Sequence, residues 1–262
     1  MDTAGRIIPE LLPDERLDDV NESLRLIQKK QGLTFGTDAY LLAAFVRSQP
    51  RAHAVDLGSG TGIIPLLLLA REKVSRVTAI EIQESFVNLI DRNAMLNGFS
   101  DRLSAISSDV REICASQLGG EVDLVVSNPP YMKCDTGKRN EHDEKYIARH
   151  EVFGNVKDFC QAAKRLLRWG GRFVSVWRPD RLTDLLYALH EATLEPKRMT
   201  FVHADAEAEP CMVLTEAVKG GAPSLHVSRP LLLYRPRKDG EKNRVLTDAA
   251  QQIYDTCNFS FF

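Results

Sequence analysis

Ser127-Asn128-Pro129-Pro130-Tyr131 follows the apolar run EVDLVV near the middle of a 262-residue chain. Two consecutive prolines end a strand, because neither can donate a ladder hydrogen bond. A plain turn would satisfy that requirement. The stretch also suits chemistry. Asn128 and Pro129 each precede a proline and are biased to extended backbone. The Asn128 side-chain oxygen and the Pro129 carbonyl are therefore offered with no N–H on Pro129 or Pro130 to compete. Two fixed acceptors match a substrate –NH2 with two hydrogens to give, and Tyr131 supplies a ring for a flat target.

A second cluster precedes it. Asp56-Leu57-Gly58-Ser59-Gly60-Thr61-Gly62 turns from one apolar run into the next, with glycines where a backbone must bend sharply and let a ligand approach. Glu81 ends the following run and can accept from both hydroxyls of a ribose. Asp109 ends the run after that and can accept from an adenine amino group. Alone, Asp56 also suits a turn cap and Glu81 a solvated strand end. A dinucleotide site wants a third glycine where Ile63 stands, so the spacing is G-x-G-x-G led by an acid. That loop resembles the glycine loop of class I S-adenosylmethionine-dependent methyltransferases. The resemblance implies that cofactor, held by Asp56, Gly58, Ser59, Gly60, Gly62 and Ile63, by Glu81 with Ile82, by Asp109 with Val110, and by Asn128.

With a methyl donor present, the two acceptors acquire a purpose. The lone pair of an exocyclic amine is delocalised into its ring. Accepting both N–H bonds returns density to nitrogen, and carbonyl dipoles stabilise the positive charge that arrives with the methyl group. Alignment of nitrogen, methyl and sulfur supplies the rest. NPPY in this place resembles the N-methyltransferases of planar amines and amides: adenine N6, guanine N2 or a glutamine side chain.

These residues need elements to position them. The spacing predicts strands at 52–58, 76–82, 102–109, 121–127 and 172–178. Between them it predicts helices at 61–72, with Pro65 in the first turn, at 84–98 and at 156–171, the last with a glycine stop. A short helical turn falls in 110–120, a helix at 181–192, and two final strands at 197–205 and 211–220 form a hairpin. A helix from about Asp38 reads as amphipathic, and the first thirty residues as an irregular lead-in. Such alternation implies parallel βαβ units. The expected fold is α/β, a doubly wound, mostly parallel seven-stranded sheet with a C-terminal antiparallel hairpin. It forms one domain over residues 1–262: a lead-in and helix (1–50), a sheet core (51–235) and a tail (236–262). The ligand site of such a sheet lies beyond the carboxyl ends of its strands, where Asp56 to Gly62, Glu81, Asp109 and Asn128 to Tyr131 all fall.

Composition bounds the partners. Hydrophobic residues make up 44% and charged residues 27%, and the net charge is −2, so an RNA partner must be met by a local patch. The five cysteines are scattered without CxxC spacing, which predicts neither a disulfide framework nor a zinc site and favours a reducing cytoplasm. The acidic N-terminus reads as no signal peptide, and the run IIPLLLLA is too short for a membrane span. Residues 132–151 carry five basic and five acidic side chains without apolar periodicity. They read as a substrate loop or as a merely solvated insertion.

Over residues 20–235 the chain resembles the bacterial tRNA adenine-N6 methyltransferases. FGTDAYLLAAF, DLGSGTGIIPLLLLA, SNPPYMK, IARHEVF, LLRWGGR and RPLLLY carry the likeness. It implies methylation of the purine 3′ of the anticodon, A37 of a valine tRNA. Phe35, Gly36, Thr37 and Asp38 would close over the donor, and Asn128, Pro129, Pro130 and Tyr131 would hold the adenine. Lys133, Lys138, Arg139 and Arg149 would meet RNA, with no metal and a monomer or weak dimer. The alternatives are a glutamine-N5 methyltransferase of a release factor, which carries a larger helical N-terminal domain, and a guanine-N2 methyltransferase of ribosomal RNA. A non-catalytic cofactor-binding module would be expected to lose Asn128 or Tyr131. An NAD-dependent oxidoreductase conflicts with the missing glycine.

Overall fold

The computed structural model describes residues 9–31, 36–129, 154–236 and 243–259. The strands that lead into the site are β3 (His53–Leu57), β4 (Arg76–Glu81), β5 (Leu103–Ser107), β6 (Val122–Ser127) and β7 (Leu167–Trp177). Neighbours among these five pair in parallel in the order β7-β6-β3-β4-β5. Beyond β7 the sheet turns antiparallel through β9 (Pro210–Lys219) and then β8 (Leu194–His203). The seven expected strands and the hairpin are present. Two two-residue strands, β10 (His226–Val227) and β11 (Leu231–Leu232), extend the outer edge along β8 and make the sheet nine-stranded.

Helices cover both faces. The α1 (Thr37–Phe45), α2 (Ile63–Ala70) and α3 (Glu84–Leu96) helices share one core with a C-terminal helix. The α4 (Val156–Leu166) and α5 (Leu182–Glu191) helices share the core on the other face. The α2 helix is buried from Ile63 to Leu69, as a helix apolar on all sides must be, and Pro65 costs it no hydrogen bond in its first turn. The order reverses between β3 and β6, and their ends are level: Leu57 pairs with Ser127, and the Ser127 hydroxyl donates to the Leu57 carbonyl at 2.9 Å.

Three expectations are corrected, and the tail gains an element. The lead-in contains an antiparallel pair, β1 (Glu15–Asp19) and β2 (Arg25–Lys29). Its strands are short and charged, and their apolar face exists only against α3, where Ile27 meets Phe86, Leu89 and Leu96. The α1 helix is not amphipathic: Ala39 through Phe45 are all buried, because α1 is packed within the shared core. The α4 helix ends at Leu166, and LRWGG belongs to β7. A register shift against β6 lies between Val122 and Leu124, and Gly170 (φ +78) and Gly171 accommodate the irregular strand start. Within the tail, Asp248–Thr256 form a helix, α6. The Thr247 side chain caps it by accepting from the Ala250 N–H at 3.1 Å, and Ala250 and Ile253 bury its inner face.

Candidate active site

The glycine loop between β3 and α2 is held by its own backbone. Gly58, Gly60 and Gly62 have φ of +71, +55 and +81, a left-handed conformation that strains any other residue. Gly58 and Ser59 donate their N–H groups to the Ile80 carbonyl at 2.9 and 3.1 Å. A Cβ on Gly58 would lie 3.4 Å from the Phe159 ring, and one on Gly62 would lie 3.2 Å from Ile90. Asp56 is completely buried. Its Oδ2 accepts from the Ser59 hydroxyl at 2.6 Å, whereas Oδ1 has no hydrogen-bond partner among the described residues. Burial pushes its carboxyl up to about 7; the Ser59 bond pulls it down and the Glu81 charge raises it further.

Glu81 leaves β4 nearly buried and closes the loop from the side. Oε2 accepts from the Gly60 N–H and Oε1 from the Gln83 N–H, both at 2.9 Å. Each oxygen keeps a lone pair beyond these bonds. The neighbouring Ile82 is exposed, while Ile63 and Val110 are buried. Asp109 is turned toward Arg111: the Arg111 backbone N–H reaches Oδ1 at 2.8 Å and its Nε reaches the same oxygen at 2.9 Å. The guanidinium holds the Asp109 carboxyl below the usual carboxylate range.

Asn128 emerges from β6 beside this loop. Its Nδ2 donates to Asp38 Oδ2 at 3.0 Å, and its Oδ1 is buried with no partner among the described residues. Pro129 follows, also buried. Asp38 and Thr37 start α1, and Gly36 precedes them as the N-cap. The Tyr40 hydroxyl of α1 donates to the Tyr254 carbonyl of α6 at 2.8 Å.

Two buried acceptors without partners among the described residues thus flank the junction of β3 and β6. Buried polar groups are otherwise nearly always satisfied, so a pair of such oxygens at a topological switch point suits a ligand that donates. Phe35, Pro130, Tyr131, Lys133, Lys138, Arg139 and Arg149, and the IARHE stretch, lie outside the described residues. Arg111, Phe159 and Asn93 shape the site without having been singled out in the sequence. The signal for Asn93 was a polar residue on the apolar face of α3, where it accepts from Ile27 N–H and donates to the carbonyls of Ile27 and Thr61 at 2.7, 2.9 and 3.0 Å. Among the described residues no helix is long and apolar enough to cross a membrane, and no group of three His, Cys, Asp or Glu is placed to hold a metal ion.

The chain resembles known proteins in sequence and in fold. It is 33% identical over 187 residues to a tRNA1(Val) (adenine(37)-N6)-methyltransferase of Porphyromonas gingivalis, covering 69% of this chain and 72% of that protein. A protein of the same name from Phocaeicola vulgatus is 31% identical over 183 residues, covering 68% and 74%. Among solved structures, a predicted O-methyltransferase from Agrobacterium tumefaciens superposes with a TM-score of 0.66 at 21% identity, over 85% of this chain and 97% of that one. The P. horikoshii protein TYW2, solved with MeSAdo, superposes at 0.56 and 17% identity, over 79% and 72%. These two likenesses show the fold. Residues 30–184 match the methyltransferase small domain, more than half of the chain, and the chain therefore belongs to that methyltransferase family.

Proposed function

We propose that the protein methylates the exocyclic N6 of an adenine in tRNA, next to the anticodon of a valine tRNA, as its relatives are named for doing. The observation that carries this reading is the Oδ1 of Asn128 at the end of β6, buried without a partner among the described residues and one strand from the glycine loop. The donor of the family is S-adenosylmethionine, which supplies an electrophilic methyl group on a sulfonium sulfur.

The residues present fit that donor. Asp56 Oδ1 is a buried acceptor suited to an ammonium, and Glu81 has lone pairs left for two ribose hydroxyls. Asn128 Oδ1 and the Pro129 carbonyl accept the two N–H bonds of the adenine amine, which sharpens its lone pair and stabilises the charge developing on nitrogen. No side-chain base is needed, because the methylated nitrogen is acidic enough to lose its proton afterwards. In the same reading Tyr131 stacks on the base, and Lys133, Lys138, Arg139 and Arg149 meet phosphates. An unstacked anticodon-loop base is cheaper to extrude than one in a duplex. A tRNA substrate supports a cytoplasmic location.

The test is methyl transfer from labelled donor to unmodified total tRNA and to a release-factor protein, with nucleosides resolved by mass spectrometry. N6-methyladenosine in tRNA is expected; label in the protein alone would move the substrate to glutamine. Asn128→Ala is expected to lower kcat by about 100-fold or more while leaving the donor Kd within a few-fold. Equal loss of both would make Asn128 a structural residue.

A further inference from the structure

We infer that Asp38 is a positioning residue that fixes which end of the Asn128 amide meets the substrate; the inference rests on the reading of Asn128 given above. An amide side chain has one accepting atom and one donating group of nearly equal shape. For a substrate –NH2 the two orientations are opposites: Oδ1 accepts, whereas Nδ2 would set donor against donor. Burial makes a wrong choice costly, since a buried unmade hydrogen bond is not repaid by water.

Asp38 makes the choice. A carboxylate accepts and cannot donate, so the atom of Asn128 that faces Asp38 Oδ2 at 3.0 Å must be Nδ2. Oδ1 is left on the other side, buried and without a partner among the described residues. The carboxylate is itself fixed, because Oδ1 of Asp38 accepts from the Ala39 N–H at 3.0 Å. The helix beneath it is held at both ends. At the start is the Tyr40–Tyr254 bond. At the end, buried Lys73 donates to the carbonyls of Ala43, Ala44 and Val46 at 3.0, 2.9 and 2.6 Å, and buried Arg198 donates to that of Phe45. The sequence likeness placed Asp38 over the donor; its geometry gives it to the acceptor side.

The experiment compares Asp38→Ala with Asp38→Asn. In Asp38→Ala the Asn128 amide loses its guide but remains able to present Oδ1, and kcat is expected to fall about 10-fold. In Asp38→Asn the new carbonyl oxygen stays with the Ala39 N–H and the new NH2 turns to Asn128, whose amide flips in response. The near-isosteric variant is therefore expected to be the worse enzyme, down about 100-fold and close to Asn128→Ala. KM for tRNA and Kd for the donor stay within about threefold. A purely structural role gives the reverse order, since Asn fills the site better than Ala, and would overturn the inference. So would a raised donor Kd at unchanged kcat, which would return Asp38 to the donor. The double variant Asp38→Asn/Asn128→Ala should be no slower than Asn128→Ala, and additive losses would refute the coupling. Full turnover in Asn128→Ala alone would instead sink the reading of Asn128, which separates the two failures.

Discussion

Asp56 is the residue whose charge state the fold controls most directly. Burial raises its carboxyl from 3.8 to about 7, so below that pH the donor-free protein holds it protonated. A cationic ligand favours the ionised form and must expel the proton. Donor affinity is therefore expected to tighten as pH rises from about 5.5 to about 7.5. It should weaken again when the donor's own amino group, near 8 in model peptides, loses its charge. Stability of the donor-free protein runs the other way. The contribution from protonated Asp56 is complete below the unfolded value of 3.8 and is lost as pH rises through about 7. Calorimetric titration across this range checks the prediction, and Asp56→Asn should flatten the rising limb. A limb that persists in Asp56→Asn would assign the proton to another group.

At the scale of elements, α3 does more than cover the sheet. Asn93 and Asn97, one turn apart, each bond both backbone groups of a residue on β2: Ile27 at 2.7 and 2.9 Å, Arg25 at 3.0 and 2.7 Å. Two side-chain amides thus stand in for a neighbouring strand. Because Asn93 also holds the Thr61 carbonyl, the hairpin and the glycine loop share one buried residue. Asn93→Ala leaves three backbone groups unpaired, and an expected loss of about 3 kcal/mol follows from roughly 1 kcal/mol for each. The half-exposed Asn97→Ala should cost less, about 1 kcal/mol. Urea denaturation measures both, and equal losses would mean that burial is not what makes Asn93 matter. This pairing explains what sequence could and could not reveal. The β3–α2–β4–α3 unit was legible because apolar runs of the right length are punctuated by glycines and acids. The hairpin was not, because its partner lies 66 residues further along. The same holds at the site: Asn128 was legible from its prolines, while its bond to Asp38 spans 90 residues and leaves no local pattern. The α6 helix was missed because its inner face consists of little more than Ala250 and Ile253.

Across the whole molecule, α1 is where distant parts of the chain meet, and buried charge secures the meeting. The helix supplies no basic residue in its own last turn. Its final carbonyls are instead satisfied by Lys73 and by Arg198, 153 residues from Phe45. A buried guanidinium requires a counter-charge. Glu216 on β9 provides it, 1% exposed, with Arg198 at 3.1 Å, Arg172 at 2.6 Å and Arg47 at 3.9 Å. Arg198 also lies 3.7 Å from the centre of the Phe45 ring, so one side chain ties the antiparallel edge of the sheet to the helix that carries Asp38. Glu216→Gln keeps the shape and removes the charge, leaving Arg198 buried without its carboxylate. The expected loss is about 3–5 kcal/mol, against less than about 1 kcal/mol for breaking the exposed Arg181–Asp184 pair. The paired replacement Arg198→Met with Glu216→Leu removes both charges and should recover most of that loss, except for the share due to the Phe45 carbonyl. Urea midpoints of the variants decide the matter. If the paired replacement were as unstable as Glu216→Gln, the Arg198 bond to the Phe45 carbonyl, which only the paired replacement removes, would matter as much as balanced charge. In that case kcat, which depends on the seat of Asp38, should fall more in the paired replacement than in Glu216→Gln, which keeps the bond to α1.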